Sequence, residues 1–348
     1  MIRRWLRRLA WLAAALAWLA LLAIGSGALW LRYALRPAAD APAQPVLFVV
    51  AEGSTLRRVA RELEQAGIVR SARAFEGLAR WQGAEDALRA GQYELHASDA
   101  PAAILDAIRS GRVKTWELAI PEGLTAVEIA GRVEAAGLAG RDAFLAVVND
   151  PASPARYRVE GPSLEGYLFP ETYQLAKGLA PEEVVGALLE QFHEVWAECE
   201  APLRARGFSM RQAVTLASLV EKETGAPQER PLIAGVFLNR LKLGMRLETD
   251  PSVIYGIAGF DGNLTRAHLE DESNPYNTYR IPALPPGPIA NPGADALRAV
   301  ARPAETDSLY FVSRNDGTHA FAKSYAEHVG NVRRYQVRGE VGDGQRSP

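Results

Sequence analysis

The sequence predicts an α+β protein: a single N-terminal transmembrane helix, two small α/β modules, then a mainly helical domain with short strands. Three observations carry this. Residues 9–31 contain no charged side chain, six positions recur seventy residues apart between 52 and 137, and from 181 onward the apolar spacing becomes that of helices. At 348 residues the chain has room for two or three domains.

Residues 1–8 form a short basic tail with Arg3, Arg4, Arg7 and Arg8. The apolar run at 9–31 follows; at about 1.5 Å per residue it spans a hydrocarbon core roughly 30 Å thick. Trp30 sits near its far end, where interfacial aromatics belong. The arginines before the run exceed those just after it (Arg32, Arg36), which places the N-terminus in the cytoplasm. A cleaved signal peptide is the rival, but its apolar region is usually about 7–15 residues, shorter than this one. Residues 32–45 include RPAADAPAQP and read as a stiff Pro/Ala linker.

Folding resumes with VLFVV at 46–50, a β-branched and aromatic run that reads as a strand. Glu52, Gly53, Thr55, Ala60, Ala66 and Gly67 then match Glu122, Gly123, Thr125, Ala130, Ala136 and Gly137. Each copy is a strand ending in Glu-Gly-x-Thr followed by a helix, with Thr55 and Thr125 suited to N-caps and the glycines to turns and C-caps. The copies close on GQYEL at 91–95 and ETYQL at 171–175, which sets module boundaries of 46–115 and 116–178. Between them, residues 101–112 read as an amphipathic helix ending at Gly111. Tyr167, Phe169 and Tyr173 in LEGYLFPETY read first as strand core residues, and alternatively as a wall for stacking sugars.

The third part, 179–338, begins with helices over 182–199, 210–224 and 229–243. Loops rich in proline, asparagine and tyrosine follow, then a helix at 294–301 and strands at 308–313 and after Gly317. Such loops on a rigid scaffold are where binding residues sit. Turn chemistry accounts for the prolines and glycines but less readily for Tyr276, Asn277 and Tyr279. Residues 339–348 read as a disordered polar tail.

One helix carries a misplaced charge. In QAVTLASLVEKET (212–224), Ala213, Leu216, Ala217 and Val220 define a buried face, and Glu223 falls on that side. Glu221 lies off to one flank and Lys222 points away. A carboxyl facing the packed side, or a cleft cut into it, is desolvated and its pKa rises, as a general acid near neutral pH requires. The ordinary alternative is a boundary glutamate whose head reaches water.

Composition removes other chemistries. Lys and Arg number 39 against 41 Asp and Glu, so no global field points to nucleic acid. Cys199 is the single cysteine, so no intramolecular disulfide forms, and it reads as a small core residue. The five histidines have no metal-ligand spacing. No metal or cofactor is expected.

VEKETG, MRLETDPSVIYG, YNTY, LPPGPIANPG and YFVSRNDGTHAF, in that order, resemble the endolytic murein transglycosylase (YceG-like) family. The likeness extends over nearly the whole chain, including the anchor and a LysM-like region before the catalytic part. It implies that the second glutamate of E-K-E-T, here Glu223, is the catalytic acid. It also implies cleavage of peptidoglycan glycan strands at the outer face of the bacterial inner membrane, in association with the synthases whose strands the cut terminates.

Glycoside cleavage normally uses two carboxylates, and only Glu223 is placed by the helical geometry. One suffices if the substrate supplies the nucleophile, as when the muramic C6 hydroxyl attacks C1 to give a 1,6-anhydro end. Thr249, Asp250, Tyr276, Asn277 and Tyr279 are the candidates for holding the sugar. Two alternatives stay open: a hydrolytic muramidase using Glu248, Asp250 or Glu171 as second carboxylate, and a membrane-anchored glycan-binding scaffold without chemistry.

Overall fold

The computed structural model describes residues 2–40 and 44–337; the tail at 339–348 lies outside these residues. The chain divides into two compact units, residues up to 116 with 176–178, and residues 117–175 with those from 179 on.

The first unit opens with α1 (Ile2–Ala34). Its segment Ala14–Ala34, with mean hydropathy 1.9, is long and apolar enough to cross a membrane. The stretch expected to be a linker is folded where it is described. Arg70 donates through Nε to the Pro37 carbonyl (2.7 Å), and through a terminal nitrogen to the Tyr33 hydroxyl (2.9 Å). Its guanidinium also lies 4.8 Å from the Tyr33 ring centre, so the helix end is held by the module rather than spaced from it.

That module is β1 (Val46–Val50), α2 (Leu56–Gln65), α3 (Ala72–Trp81), β2 (Gly91–Leu95) and α4 (Pro101–Ser110). β1 and β2 pair antiparallel, Val46 opposite Leu95. Phe48, Val50, Tyr93 and Leu95 point inward onto Val59, Leu63, Phe75, Ile104 and Ile108. Gly111 ends α4 in the left-handed region at φ 71°, a conformation without penalty only for glycine.

The plan then repeats, mostly within the second unit: β3 (Thr115–Ala119), α5 (Ala126–Ala135), α6 (Arg141–Asn149), a one-turn α7 (Ser153–Arg156) and β4 (Thr172–Ala176), which pairs with β3. The repeated residues do the same work in both copies. Thr55 caps α2 and Thr125 caps α5, the latter in a reciprocal capping box with Glu128. Gly67 and Gly137 follow the helices at φ 69° and 66°.

The chain continues as α8 (Pro181–Ala205), α9 (Met210–Glu223), α10 (Arg230–Lys242), α11 (Asp250–Tyr255), α12 (Arg266–Glu270) and α13 (Ala294–Ala301). Strands β5 (Tyr310–Ser313) and β6 (His319–Ala322) form an antiparallel hairpin, and α14 (Tyr325–Val332) follows. One apolar core runs through both parts, from Leu118, Ile129 and Phe144 to Leu188, Leu216, Phe237 and Val300. The structure thus joins the residues read as a second module to the helical part that follows. Tyr167, Phe169 and Tyr173 are core residues of it, 1%, 4% and 9% exposed, and leave no stacking wall.

α9 is the axis of this unit, with α10, α11 and α13 packed on it. It departs from the expected one-sided helix: every residue from Ala213 to Val220 is buried. The two polar ones are satisfied locally, Thr215 donating to the Arg211 carbonyl (2.7 Å) and Ser218 to that of Thr215 (2.7 Å). Ser218 also accepts the Ile289 N–H at 3.0 Å, which ties the proline-rich loop to the helix.

Residues 304–308 lie along α10 at its glycine. A Cβ on Gly235 would meet the Ala304 carbonyl oxygen at 2.6 Å and Thr306 Cγ2 at 2.9 Å. Gly→Ala inside a helix ordinarily stabilises by about 1 kcal/mol. Here Gly235→Ala is expected to destabilise by about 2 kcal/mol through overpacking, measured by denaturant unfolding; a variant more stable than the parent would refute the close approach.

Candidate active site

Glu223 is the last residue of α9 and lines a cleft of about 480 Å³ with Arg240, Leu247, Glu248, Asp250, Tyr279, Phe311, Val312, Ser313, His319 and His328. Its carboxyl is partly open to the cleft but closely surrounded by protein. Burial, seconded by the negative charge of Asp250, pushes its pKa up to about 8. The carbonyl end of α9 acts in the same direction. Thr249 and Arg240 oppose the shift and do not cancel it. The Thr249 hydroxyl oxygen is buried and makes no regular hydrogen bond among the described residues.

Two loops build the cleft wall and are stitched together beneath it. The Thr249 N–H donates to the Thr278 hydroxyl oxygen (2.9 Å), and the Glu248 N–H to the Thr278 carbonyl (3.2 Å). Ser252 and Thr278 share a buried hydroxyl contact of 2.8 Å. This register brings Tyr279 over Asp250, to whose Oδ1 it donates at 2.7 Å. Burial and that hydrogen bond raise the Tyr279 pKa, which keeps it a donor. Glu248 takes φ 55°, a strained choice for a side chain-bearing residue, and Arg240 accompanies it at 3.1 Å.

Arg240 is the frame of the wall. It is 7% exposed and donates to the carbonyls of Leu309 (2.6 Å), Arg246 (3.0 Å) and Leu247 (3.0 Å). It therefore joins α10, the 245–249 loop and the residue that leads into β5. The hairpin and α14 complete the lining. His319 is held by Glu229, and His328 stacks on Tyr310 with ring centres 5.2 Å apart. Burial and the charge of Arg240 depress the His328 pKa.

Among the residues singled out from sequence, Glu223, Asp250 and Tyr279 meet in this cleft, with Thr249 beside Glu223. Two do not. Asn277 is fully buried: its amide donates to the carbonyls of His268, Leu269 and Asp271, and its oxygen accepts the Tyr279 N–H. It shapes the loop and has no capacity left for a sugar. Tyr276 packs edge-on against Tyr255, ring centres 4.8 Å apart, and lines a separate small cavity. Of the candidate second carboxylates, Glu248 and Asp250 line the cleft; Glu171 lies outside its lining, exposed beside β4.

Glu221 also differs from expectation. It is buried rather than flanking, with Arg230 at 2.7 Å and the Gly293 N–H at 3.0 Å. Arg240, Phe311, Ser313, His319 and His328 received no role from sequence, because each reaches the cleft only through tertiary contacts. A further buried acid is Glu165, whose pKa burial raises to about 7. It accepts the Ala126 N–H at 3.1 Å and the Asn291 amide at 2.9 Å, so it caps α5 and lies apart from the Glu223 cleft.

Comparison with known proteins gives this arrangement its context. An endolytic murein transglycosylase of Bacillus subtilis is 29% identical over 323 residues, covering 88% of this chain and 89% of that protein. One of Streptococcus pneumoniae is 30% identical over 321 residues, 81% of this chain, which spans only 57% of that longer relative. The crystal structure of a YceG-like protein from Listeria monocytogenes superposes with a TM-score of 0.57 at 30% identity, over 82% of this chain and 98% of that one. Residues 48–334, which hold both repeats and the whole cleft, match the YceG-like family. The chain belongs to the YceG-like family.

Proposed function

We propose that this protein is a membrane-anchored, endolytic peptidoglycan lytic transglycosylase with Glu223 as its acid and base. The observation that carries the reading is a carboxyl with a pKa of about 8 at the wall of an open cleft, faced by Asp250 and Tyr279. A carboxyl that is still protonated at neutral pH suits donation to a glycosidic oxygen. The names of the relatives support the same substrate.

In this reading Glu223 gives its proton to the oxygen between N-acetylmuramic acid and N-acetylglucosamine, and the C1–O bond breaks with the glucosamine leaving as its C4 alcohol. The muramic C6 hydroxyl attacks C1 and its proton passes to the Glu223 carboxylate. The acid is thereby regenerated, a 1,6-anhydro end forms, and no water is consumed. Asp250, fixed by Tyr279, faces the region where positive charge develops at C1. Thr249 and Tyr279 supply polar contacts to the sugar. The excess of arginines before the apolar run at 9–31 supports a cytoplasmic N-terminus, with the chain after α1 outside the inner membrane beside the synthases whose strands it cuts.

The test is mass spectrometry of products released from purified peptidoglycan by the full chain in detergent. Fragments lighter by one water than hydrolysis products, absent with Glu223→Gln, are the expected result. Hydrated ends would make the enzyme a muramidase in which Glu248 or Asp250 directs water. No cleavage by membrane-inserted parent protein would favour a binding scaffold.

A further inference from the structure

One histidine of the cleft lining is held in a way that its place in the fold alone does not require. His319 begins β6, and Glu229 sits at the start of α10, ninety residues away. The two oxygens of one carboxylate bind one residue twice: Oε1 accepts the His319 backbone N–H at 2.9 Å, and Oε2 lies 2.7 Å from ring Nδ1. Both side chains are largely buried, 12% and 13% exposed. Phe311 meets the imidazole edge-on, with ring planes at 90° and centres 5.4 Å apart. A ring flip would turn a C–H toward the carboxylate and forfeit the hydrogen bond, so the orientation is set.

The protonation pattern follows from the partner. A carboxylate only accepts, so Nδ1 carries the hydrogen, and in the neutral ring Nε2 keeps its lone pair. His319 lines the Glu223 cleft, and Nε2 has no hydrogen-bond partner among the described residues. The carboxylate–histidine pair thus presents an oriented acceptor to the space where the glycan is proposed to lie. Glu248 and Asp250 also accept there, but Arg240 and Tyr279 already engage them.

We propose that His319, oriented by Glu229, is a substrate-positioning residue that accepts a hydrogen bond at Nε2 from a hydroxyl of the sugar bound beside Glu223. The inference rests on the glycan reading of the cleft. Glu229 acts only through His319, by selecting its tautomer. A pair that merely fastened α10 to β6 would do so whichever ring nitrogen carried the hydrogen, and this separates the two roles.

The experiment uses the full chain in detergent with ¹⁵N-labelled histidine at pH 8, in the Glu223→Gln background so that substrate is bound but not cut. His319→Asn assigns the signals. The expected spectrum shows a protonated Nδ1 and a bare Nε2 for His319. A GlcNAc–MurNAc tetrasaccharide should move the Nε2 resonance upfield as the lone pair becomes engaged. Glu229→Gln keeps the shape but turns an amide donor toward Nδ1, which forces the hydrogen onto Nε2. With Glu223 intact, that variant should lose roughly tenfold or more in kcat/KM, mainly through KM, as expected when one polar contact to substrate is replaced by a donor–donor clash. Inversion of the tautomer without change in kcat/KM would overturn the proposal. So would a tetrasaccharide that shifts the amides of Asp250 and Tyr279 yet leaves His319 Nε2 unmoved. If no cleft residue responds to the tetrasaccharide, the functional reading itself fails, and this inference with it.

Discussion

Glu223→Gln is expected to abolish strand cleavage and, at alkaline pH, to make the protein more stable. The loss follows from the proposed role of Glu223: without its carboxyl the leaving oxygen has no acid to protonate it, a change worth on the order of a thousandfold. The stability gain follows from linkage. The folded-state pKa of about 8 lies above the ordinary 4.5, so between these values the native chain holds a proton that the unfolded chain has released. Stability from this group is fully present below the unfolded value and declines as pH rises through the folded one. Glutamine does not ionise and escapes the decline. Water in the cleft screens part of the shift, and about 2 kcal/mol at pH 9, a few degrees in Tm, is the expected difference. At pH 4 the two proteins should unfold alike. In the parent, kcat/KM should fall as pH rises through about 8, since the acid form is then lost. A variant that cleaves at the parental rate, or a parent whose rate climbs through that range, would remove Glu223 from the acid role.

Glu223 was legible because its position depends on one helix and a period of 3.6 residues. The repeat was legible for a similar reason: Thr55, Thr125, Gly67 and Gly137 act on the helices next to them, so local chemistry decides them. What escaped was decided over distance. The spacing of Ala213, Leu216, Ala217 and Val220 predicts a one-sided α9, yet Thr215 and Ser218 bond back to carbonyls of their own helix and are buried as well. Asn277 looks like a binding residue in any polar loop; only the three carbonyls gathered around its amide turn it into a scaffold. Arg240 is one of several basic residues on α10, and only the carbonyls of two other segments that consume its guanidinium set it apart. His319 gained meaning from Glu229, ninety positions earlier. The continuity across residue 178, where the sequence reading sets a boundary, was equally invisible, because Leu168 and Leu188 share a core with no marker in sequence.

The second large effect concerns the other glutamate of the VEKET run. Arg230→Met is expected to destabilise the protein by about 3–5 kcal/mol, the usual consequence of leaving a buried charge without its partner. Arg230 is 7% exposed; its guanidinium reaches Glu221 at 2.7 Å and Glu122 at 3.0 Å, with Asp295 at 3.7 Å. Glu221 is as deeply placed, its side chain 5% exposed, and its second oxygen accepts the Gly293 N–H. Burial outweighs the pairing and raises the Glu221 pKa above the ordinary value, so losing Arg230 would drive it further toward the neutral form. Adding Glu221→Gln to Arg230→Met should therefore recover more than half of the loss, since a neutral amide still accepts from Gly293 and carries no charge to desolvate. Denaturant unfolding of the two single variants and the double measures this coupling. An Arg230→Met protein as stable as the parent would mean that water reaches Glu221. Cleavage assays complete the separation: Glu221→Gln, kept at a temperature where it is folded, should retain the parental products, while Glu223→Gln gives none. The two carboxyls stand two residues apart on α9, but one closes an ion pair inside the fold and the other opens onto the cleft, and their variants should fail in opposite assays.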